Sequence, residues 1–318
     1  MPPRTLLLTL DAFNTLFHPR LPVPTQYAQV AQVLRFPPHI NNTSINSIST
    51  NDLASKISRA FRAAYKHESA TKPNFGRNVA GFGGPREWWG NVIRGCFVRV
   101  VHEDGKDAGA DEVEVPDELV EGLIKRFESR EGYALYPDVQ EFFGRMRRWR
   151  EGERKALKKP FERVIVGVVS NSDDRIANIL SSLGVRIGAL RGTTGTPATD
   201  ETRSGAAVRA DIDFIVTSYE AGEEKPHRII FDFAKERARE CLDKDDRLSM
   251  KDDDWFYLHV GDHYGKDYEG AIGAGWDSFL LPREGEGPAV SKNSHRNSAT
   301  VKQIQTLPEI FSRLGLKT

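Results

Sequence analysis

From Thr5 to Leu10 the chain carries four leucines and no charge, and it meets a carboxylate at Asp11. An uninterrupted apolar run of this length suits a strand buried on both faces, the habit of parallel sheets. Beyond the prolines at 19, 22 and 24 the apolar period changes to that of helices. The spacing predicts helices over Gln26–Arg35, capped by Thr25, and over Asp52–Lys66. Two more follow, one after Arg86–Trp89 through Ile93 and Phe97, and one that begins at Pro116 and ends near Arg130. The tracts Asn41–Asn51 and His102–Glu114 read as loops, and no strand is expected between Thr25 and Arg130.

From Tyr136 the pattern alternates. A helix through Val139, Phe142, Phe143, Met146 and Trp149 leads to a strand at Val164–Val169, and a helix from Asp173 or Asp174 closes at Gly184. Strands at Phe214–Thr217, Phe256–Val260 and Ser278–Leu281 are interleaved with helices at Pro226–Cys241 and Lys266–Gly275. A short helix over Leu307–Leu314 ends the pattern. Residues 191–210 and 284–300 lack apolar periodicity and read as flexible loops. Alternating strands and helices mean right-handed crossovers and a doubly wound parallel sheet, an α/β fold. The predicted organisation is a core of residues 1–18 and 133–318, with a helical insertion over residues 19–132.

Composition adds little to this picture. The 318 residues are 39% hydrophobic and 28% charged, with 45 basic and 45 acidic side chains and no formal net charge. That balance gives no support to nucleic acid or an anionic membrane as partner. The basic run Arg145–Arg150 is expected to be a solvated helix face. Two cysteines, Cys96 and Cys241, lie far apart without ligand spacing, which argues against a disulfide framework or a zinc site. With no apolar stretch of membrane-spanning length and no leader-like segment ahead of the first strand, cytoplasmic or nuclear residence is the expectation.

The chemistry lies where predicted strands end, as ligand sites of open α/β sheets do. Asp11 follows the first strand, Ser170-Asn171 the second, Lys225-Pro226 the turn after the third, and Gly261-Asp262 the fourth, with Asp267 further round. Each has an ordinary explanation alone: a helix cap, a turn residue, a surface lysine. Four in succession, each after a strand, are harder to assign to chance. A hydroxyl and an amide suit an anion, a fixed ammonium suits charge neutralisation, and paired carboxylates suit a hard cation such as Mg²⁺.

This constellation resembles the haloacid dehalogenase superfamily. The residues Asp11–Leu16, Ser170-Asn171, Lys225-Pro226 and Gly261-Asp262 with Asp267 stand where its four motifs stand. The resemblance implies a Rossmann-like core with the first strand central, and a helical cap of the C1 type after that strand. Within the superfamily the chain is similar to the haloacid dehalogenase-like hydrolase domain-containing protein 3 group. The residues that carry this likeness include Phe61–Tyr65, Pro73–Gly76, Arg86–Trp89, Tyr136–Asp138 and Gly261–Tyr264. It implies a Mg²⁺-dependent phosphohydrolase acting on a phosphorylated small molecule. Asp11 would be the nucleophile, with Ser170, Lys225 and Asp267 as its catalytic partners. Asp11, Asp262 and the Phe13 carbonyl would take the metal, and Asn14 and Asn171 the substrate. Trp88 and Trp89 are candidates for the substrate mouth, with at least one of them expected to pack between helices instead.

One departure matters. Phosphatases of the superfamily carry an aspartate two positions after the nucleophile as general acid and base, and here that residue is Phe13. A positioned acid is worth about 10²- to 10⁴-fold. The expected activity is therefore weak or restricted to good leaving groups. His18 and His263 are candidate substitutes, though a solvated turn histidine is the plainer reading of both. Phe13 also keeps open a 2-haloacid dehalogenase using Asp11 without metal, since halide leaves without a proton. A non-catalytic binding protein is the third reading.

Overall fold

The structure is a computed structural model that describes residues 5–37, 49–104, 114–152, 159–188, 210–283 and 301–316. The predicted loop over 284–300, all of that over 191–210 but its last residue, and most of those over 41–51 and 102–114 lie outside the described residues.

Five strands form one parallel sheet: β1 (Thr5–Leu10), β4 (Arg163–Ser170), β5 (Phe214–Thr217), β6 (Trp255–Gly261) and β7 (Asp277–Leu280). Their spatial order is β5-β4-β1-β6-β7, so the most apolar strand is central. Every residue of β1 is buried, as its composition required. The register pairs Leu10 with Val168 on one side and with Val260 on the other. The carboxyl ends of β1, β4 and β6 are therefore level, and the residues that follow them emerge at one edge. Two three-residue strands, β2 (Phe17–Pro19) and β3 (Tyr133–Leu135), pair as a separate ribbon and were not expected.

The chain divides into two compact units. The first holds residues 1–18, 135–172 and 184–318. On one face of its sheet Leu7, Ile165, Val169, Phe214 and Val216 pack with Ile230, Phe231, Ala234 and Ala238, which line one side of a helix over Arg228–Glu240. A helix over Pro137–Glu151 buries Val139, Phe142, Phe143, Met146 and Trp149. It meets the short helix Glu309–Arg313 through the rings of Phe142 and Phe311.

The second unit, residues 19–134 and 173–183, is helical among its described residues apart from the ribbon ends. Its helices are Val23–Val33, Thr50–Thr71, Pro85–Asp104, Asp117–Arg126 and Arg175–Ser182. In the second of these Leu53, Ile57, Ala60, Ala64 and Glu68 are buried at helical spacing, and Ser49 caps it by accepting from the Asp52 amide. Tyr27 gathers the rings of Phe61, Phe97 and Phe127 around it.

Several boundaries differ from expectation for local reasons. Thr25 does not cap the first helix, which starts earlier with Pro22 at the cap and Pro24 in a first turn that tolerates it. Pro116 is likewise the cap, and the helix ends at Arg126. The helix through Trp88 runs on to Asp104, taking His102 out of the expected loop. Arg150 is buried rather than solvated: it donates to the carbonyls of Ala210 and Val164 and pairs with Asp213. Lys266–Gly275 is a wide π turn over Tyr264–Glu269 followed by one α-turn over Gly270–Gly273, not one continuous helix. Such turns favour functional sites.

Candidate active site

Lys225 is the centre of the site. Its ammonium is buried and has three acceptors: Asp11 Oδ1 at 2.6 Å, Asp267 Oδ1 at 2.7 Å and the Val169 carbonyl at 2.8 Å. Three donors meet three acceptors, so the charge is held in one place. Asn171 fixes the backbone behind it. Its Oδ1 accepts from the Lys225 amide at 2.7 Å and its Nδ2 donates to the Lys225 carbonyl at 2.9 Å. Both ends of the Asn171 side chain are thus engaged within the protein, where the sequence suggested a substrate contact. The helix after Lys225 begins at Arg228, capped by His227, rather than at Pro226.

Asp11 stands just past β1, and its amide donates to the Val260 carbonyl of β6 at 2.9 Å. Asp262 is half-buried and accepts from the Thr15 hydroxyl at 3.3 Å. Oxygens of Asp11, Asp262 and Asp267 lie within 4.8 Å of one another, an acidic group that could hold a metal ion. Ser170 is buried at the end of β4. Phe13 packs its ring edge-on to Phe17 at 4.8 Å, and Asn14 adopts a left-handed backbone (φ 55°) with its amide on the Phe17 carbonyl.

The charges follow from the contacts. Two carboxylates compete for one ammonium. Burial pushes the Asp267 carboxyl up, but the Lys225 charge and the His259 hydrogen bond outweigh it, and the net direction is well down. Asp11 is pushed up to about 7 by burial, with Lys225 pulling against it and Asp267 and Asp262 adding to the rise. Burial and the Asp267 charge raise Asp262. Burial lowers Lys225, but the two carboxylates raise it on balance, so it stays an ammonium.

Three residues of this site were missed by sequence reasoning. Thr15 and Arg283 are two, the latter donating to the Thr15 carbonyl at 2.6 Å and pairing with Asp138 at 2.9 Å. The third is His259, a titratable ring in the middle of an apolar strand, which is itself a signal. Trp88 and Trp89 belong to the helical unit. Trp88 is buried and donates to the Lys72 carbonyl at 3.0 Å. Trp89 is half-buried and donates to Asp173 Oδ2 at 2.8 Å, with the Arg175 guanidinium 4.5 Å over its ring.

Against known proteins, no family model matches the chain. It is 29% identical to the uncharacterized protein YMR130W of Saccharomyces cerevisiae over 88% of this chain and 72% of that one. It is 27% identical to the haloacid dehalogenase-like hydrolase domain-containing protein 3 of Mus musculus over 86% and 81%. Among solved structures it superposes on the L-2-haloacid dehalogenase PA0810 with a TM-score of 0.51, at 12% identity and 99% coverage of both chains. The fold is that of the haloacid dehalogenase-like hydrolases. The likeness supports a hydrolase of that superfamily, as the strand-end motifs implied. The first strand is central, between β4 and β6, as the resemblance implied. Among the described residues no helix is long and apolar enough to cross a membrane.

Proposed function

We propose that the chain is a Mg²⁺-dependent phosphohydrolase that works through an aspartyl-phosphate on Asp11 and accepts leaving groups that need no proton. The observation that carries this reading is the buried ammonium of Lys225, shared between Asp11 and Asp267 beside the acidic group. Lys225 holds Oδ1 of Asp11, which leaves Oδ2 as the attacking oxygen. Oδ2 forms a bond to phosphorus, and the bond to the leaving oxygen breaks with its electron pair. Water then attacks phosphorus and Asp11 departs as the carboxylate, the proton from water passing to phosphate or solvent.

Asp11, Asp262 and the Phe13 carbonyl would hold the metal, because Asp267 is already engaged by Lys225, His259 and the His263 amide. Bound there, Mg²⁺ would supply positive charge for the two carboxylates and the phosphoryl oxygens. Ser170 would hold the phosphoryl group, Lys225 would act by its charge beside Asp11, its three donors being already engaged, and Asn171 would act by fixing Lys225. A small phosphorylated molecule is the substrate this arrangement suits.

Turnover of an aryl phosphate with Mg²⁺ tests the reading. Loss of that turnover in Asp11→Asn supports it, and equal rates in the two proteins reject it. Phe13 favours a second reading, dehalogenation, since that reaction needs no acid. Chloride release from a 2-chloroalkanoate in the presence of a chelator would establish that reading instead.

A further inference from the structure

Beneath the site, two central strands of the sheet place polar side chains side by side in the buried interior. Thr9 of β1 and His259 of β6 are direct neighbours in register and are both fully buried. Thr9 stands two residues before Asp11, which lies just past β1, and His259 two residues before Gly261, the last residue of β6. Strand side chains alternate between faces, so each polar residue lies one pleat below its partner on the same face.

His259 Nε2 is 3.2 Å from Asp267 Oδ1, and its Nδ1 is 2.8 Å from the Thr9 hydroxyl. A carboxylate can only accept, so Nε2 carries the ring proton and donates. Nδ1 then accepts from Thr9, which sets the tautomer. The imidazole and the Phe231 ring pack edge-to-face at a centroid distance of 5.4 Å. The acceptor that His259 holds, Asp267 Oδ1, is the same oxygen that takes Lys225 Nζ.

We infer that His259 is a positioning residue: with Thr9 behind it, it pins Asp267 Oδ1 and thereby sets where the Lys225 ammonium meets Asp11. Lys225 has no spare donor with which to follow a displaced carboxylate while keeping Asp11 and Val169. Loss of the His259 proton therefore loosens Lys225 at the nucleophile without touching substrate. The catalytic part of this inference rests on Asp11 being the nucleophile, whereas the positioning part does not.

The test compares His259→Leu, His259→Gln and Thr9→Val. A glutamine amide can donate where Nε2 does, and leucine cannot. With an aryl phosphate and Mg²⁺, His259→Leu is expected to lower kcat by about 10- to 100-fold with KM little changed, the scale of lost outer-shell hydrogen bonds. His259→Gln is expected to recover most of it, and Thr9→Val to fall between. NMR of ¹⁵N-lysine-labelled protein gives an independent readout: hydrogen exchange at Lys225 Nζ should quicken in His259→Leu and slow again in His259→Gln. Equal losses in Leu and Gln variants, or unchanged Lys225 exchange in all three, would overturn the proposal. If the wild type turns over no phosphate ester, the phosphohydrolase reading fails while Lys225 exchange still decides the positioning role. Should His259→Leu fail to fold, faster Lys225 exchange in Thr9→Val carries the inference, and unchanged exchange there defeats it.

Discussion

The carboxylate of Asp267 occupies the space that a β-carbon would fill at Gly261: an added Cβ would lie 2.3 Å from Asp267 Cγ. Glycine is therefore required there for room rather than for an unusual backbone angle. Gly261→Ala should push Asp267 off Lys225 and move the ammonium relative to Asp11. Misplacement by about 1 Å can cost on the order of 10²-fold in rate, against about 1–3 kcal/mol of stability for overpacking. Turnover measured beside urea unfolding should show the rate falling much further than the stability predicts.

Removing the central cation should cost stability as well as rate. Lys225→Met leaves two buried carboxylates facing each other without the charge that separates them. Breaking a buried ion pair by deleting one partner typically costs about 3–5 kcal/mol, and urea unfolding at neutral pH should show a loss of that order. The deficit should narrow in acid, because a protonated carboxyl no longer needs the ammonium. A stability loss below about 1 kcal/mol would mean that the three contacts to Lys225 contribute little in the folded state.

Asp11 and Asp262 are held above their ordinary values, with burial the largest cause of each. A divalent cation should therefore stabilise the fold. At a free Mg²⁺ concentration 100 times its Kd the gain is about 2.7 kcal/mol by mass action, readable as a rise in Tm. Asp262→Asn should remove most of that rise. Chelator should lower the wild-type Tm and leave the variant nearly unmoved.

The fold was legible because its evidence is local. Four leucines in six positions leave β1 nowhere but the centre of a sheet, and the strand-end carboxylates follow from that. The joint position of Asp11, Lys225 and Asp262 could be read from motif order alone. Asn171 could not, since whether its amide faces a ligand or the Lys225 backbone depends on a contact 54 residues distant. The same is true of Thr15 with Asp262, 247 residues apart. The π turn at Tyr264–Glu269 was hidden because its apolar spacing resembles a helix. Arg150 reads as one of a basic run until Asp213 and the Val164 carbonyl are seen around it.

Phe13 offers a gain-of-function experiment. Its ring packs against Phe17, and no proton donor stands at that position. Phe13→Asp would restore a carboxyl two residues after the nucleophile. Acid catalysis of this kind is worth about 10²- to 10⁴-fold. The gain should appear in kcat/KM for alkyl phosphates, whose leaving groups need a proton, and be small for activated aryl phosphates. A uniform change across both substrates would indicate that Phe13 acts on binding instead.

The helical unit carries a separate acid-sensitive contact. Asp173 is buried and accepts a fork from Arg175, Nε and Nη2 both at 2.8 Å, together with the Trp89 indole. Burial pushes its carboxyl up, but the Arg175 charge, the hydrogen bonds of Arg175 and the Trp89 donor outweigh that, and the net direction is down. A carboxyl lower in the folded chain than in the unfolded one gives stability that is present above the unfolded value of about 3.9. That stability fades as pH falls from there toward the folded value, because the unfolded chain takes up the proton first. Asp173→Asn keeps the shape and removes the charge. At neutral pH the variant should be less stable by about 3 kcal/mol, since Arg175 is left buried without its anion. Between pH 5 and pH 3 the wild type should lose stability more steeply than the variant, so the two unfolding curves converge in acid. Parallel curves over that range would show that the Asp173–Arg175 pair contributes no proton-linked stability.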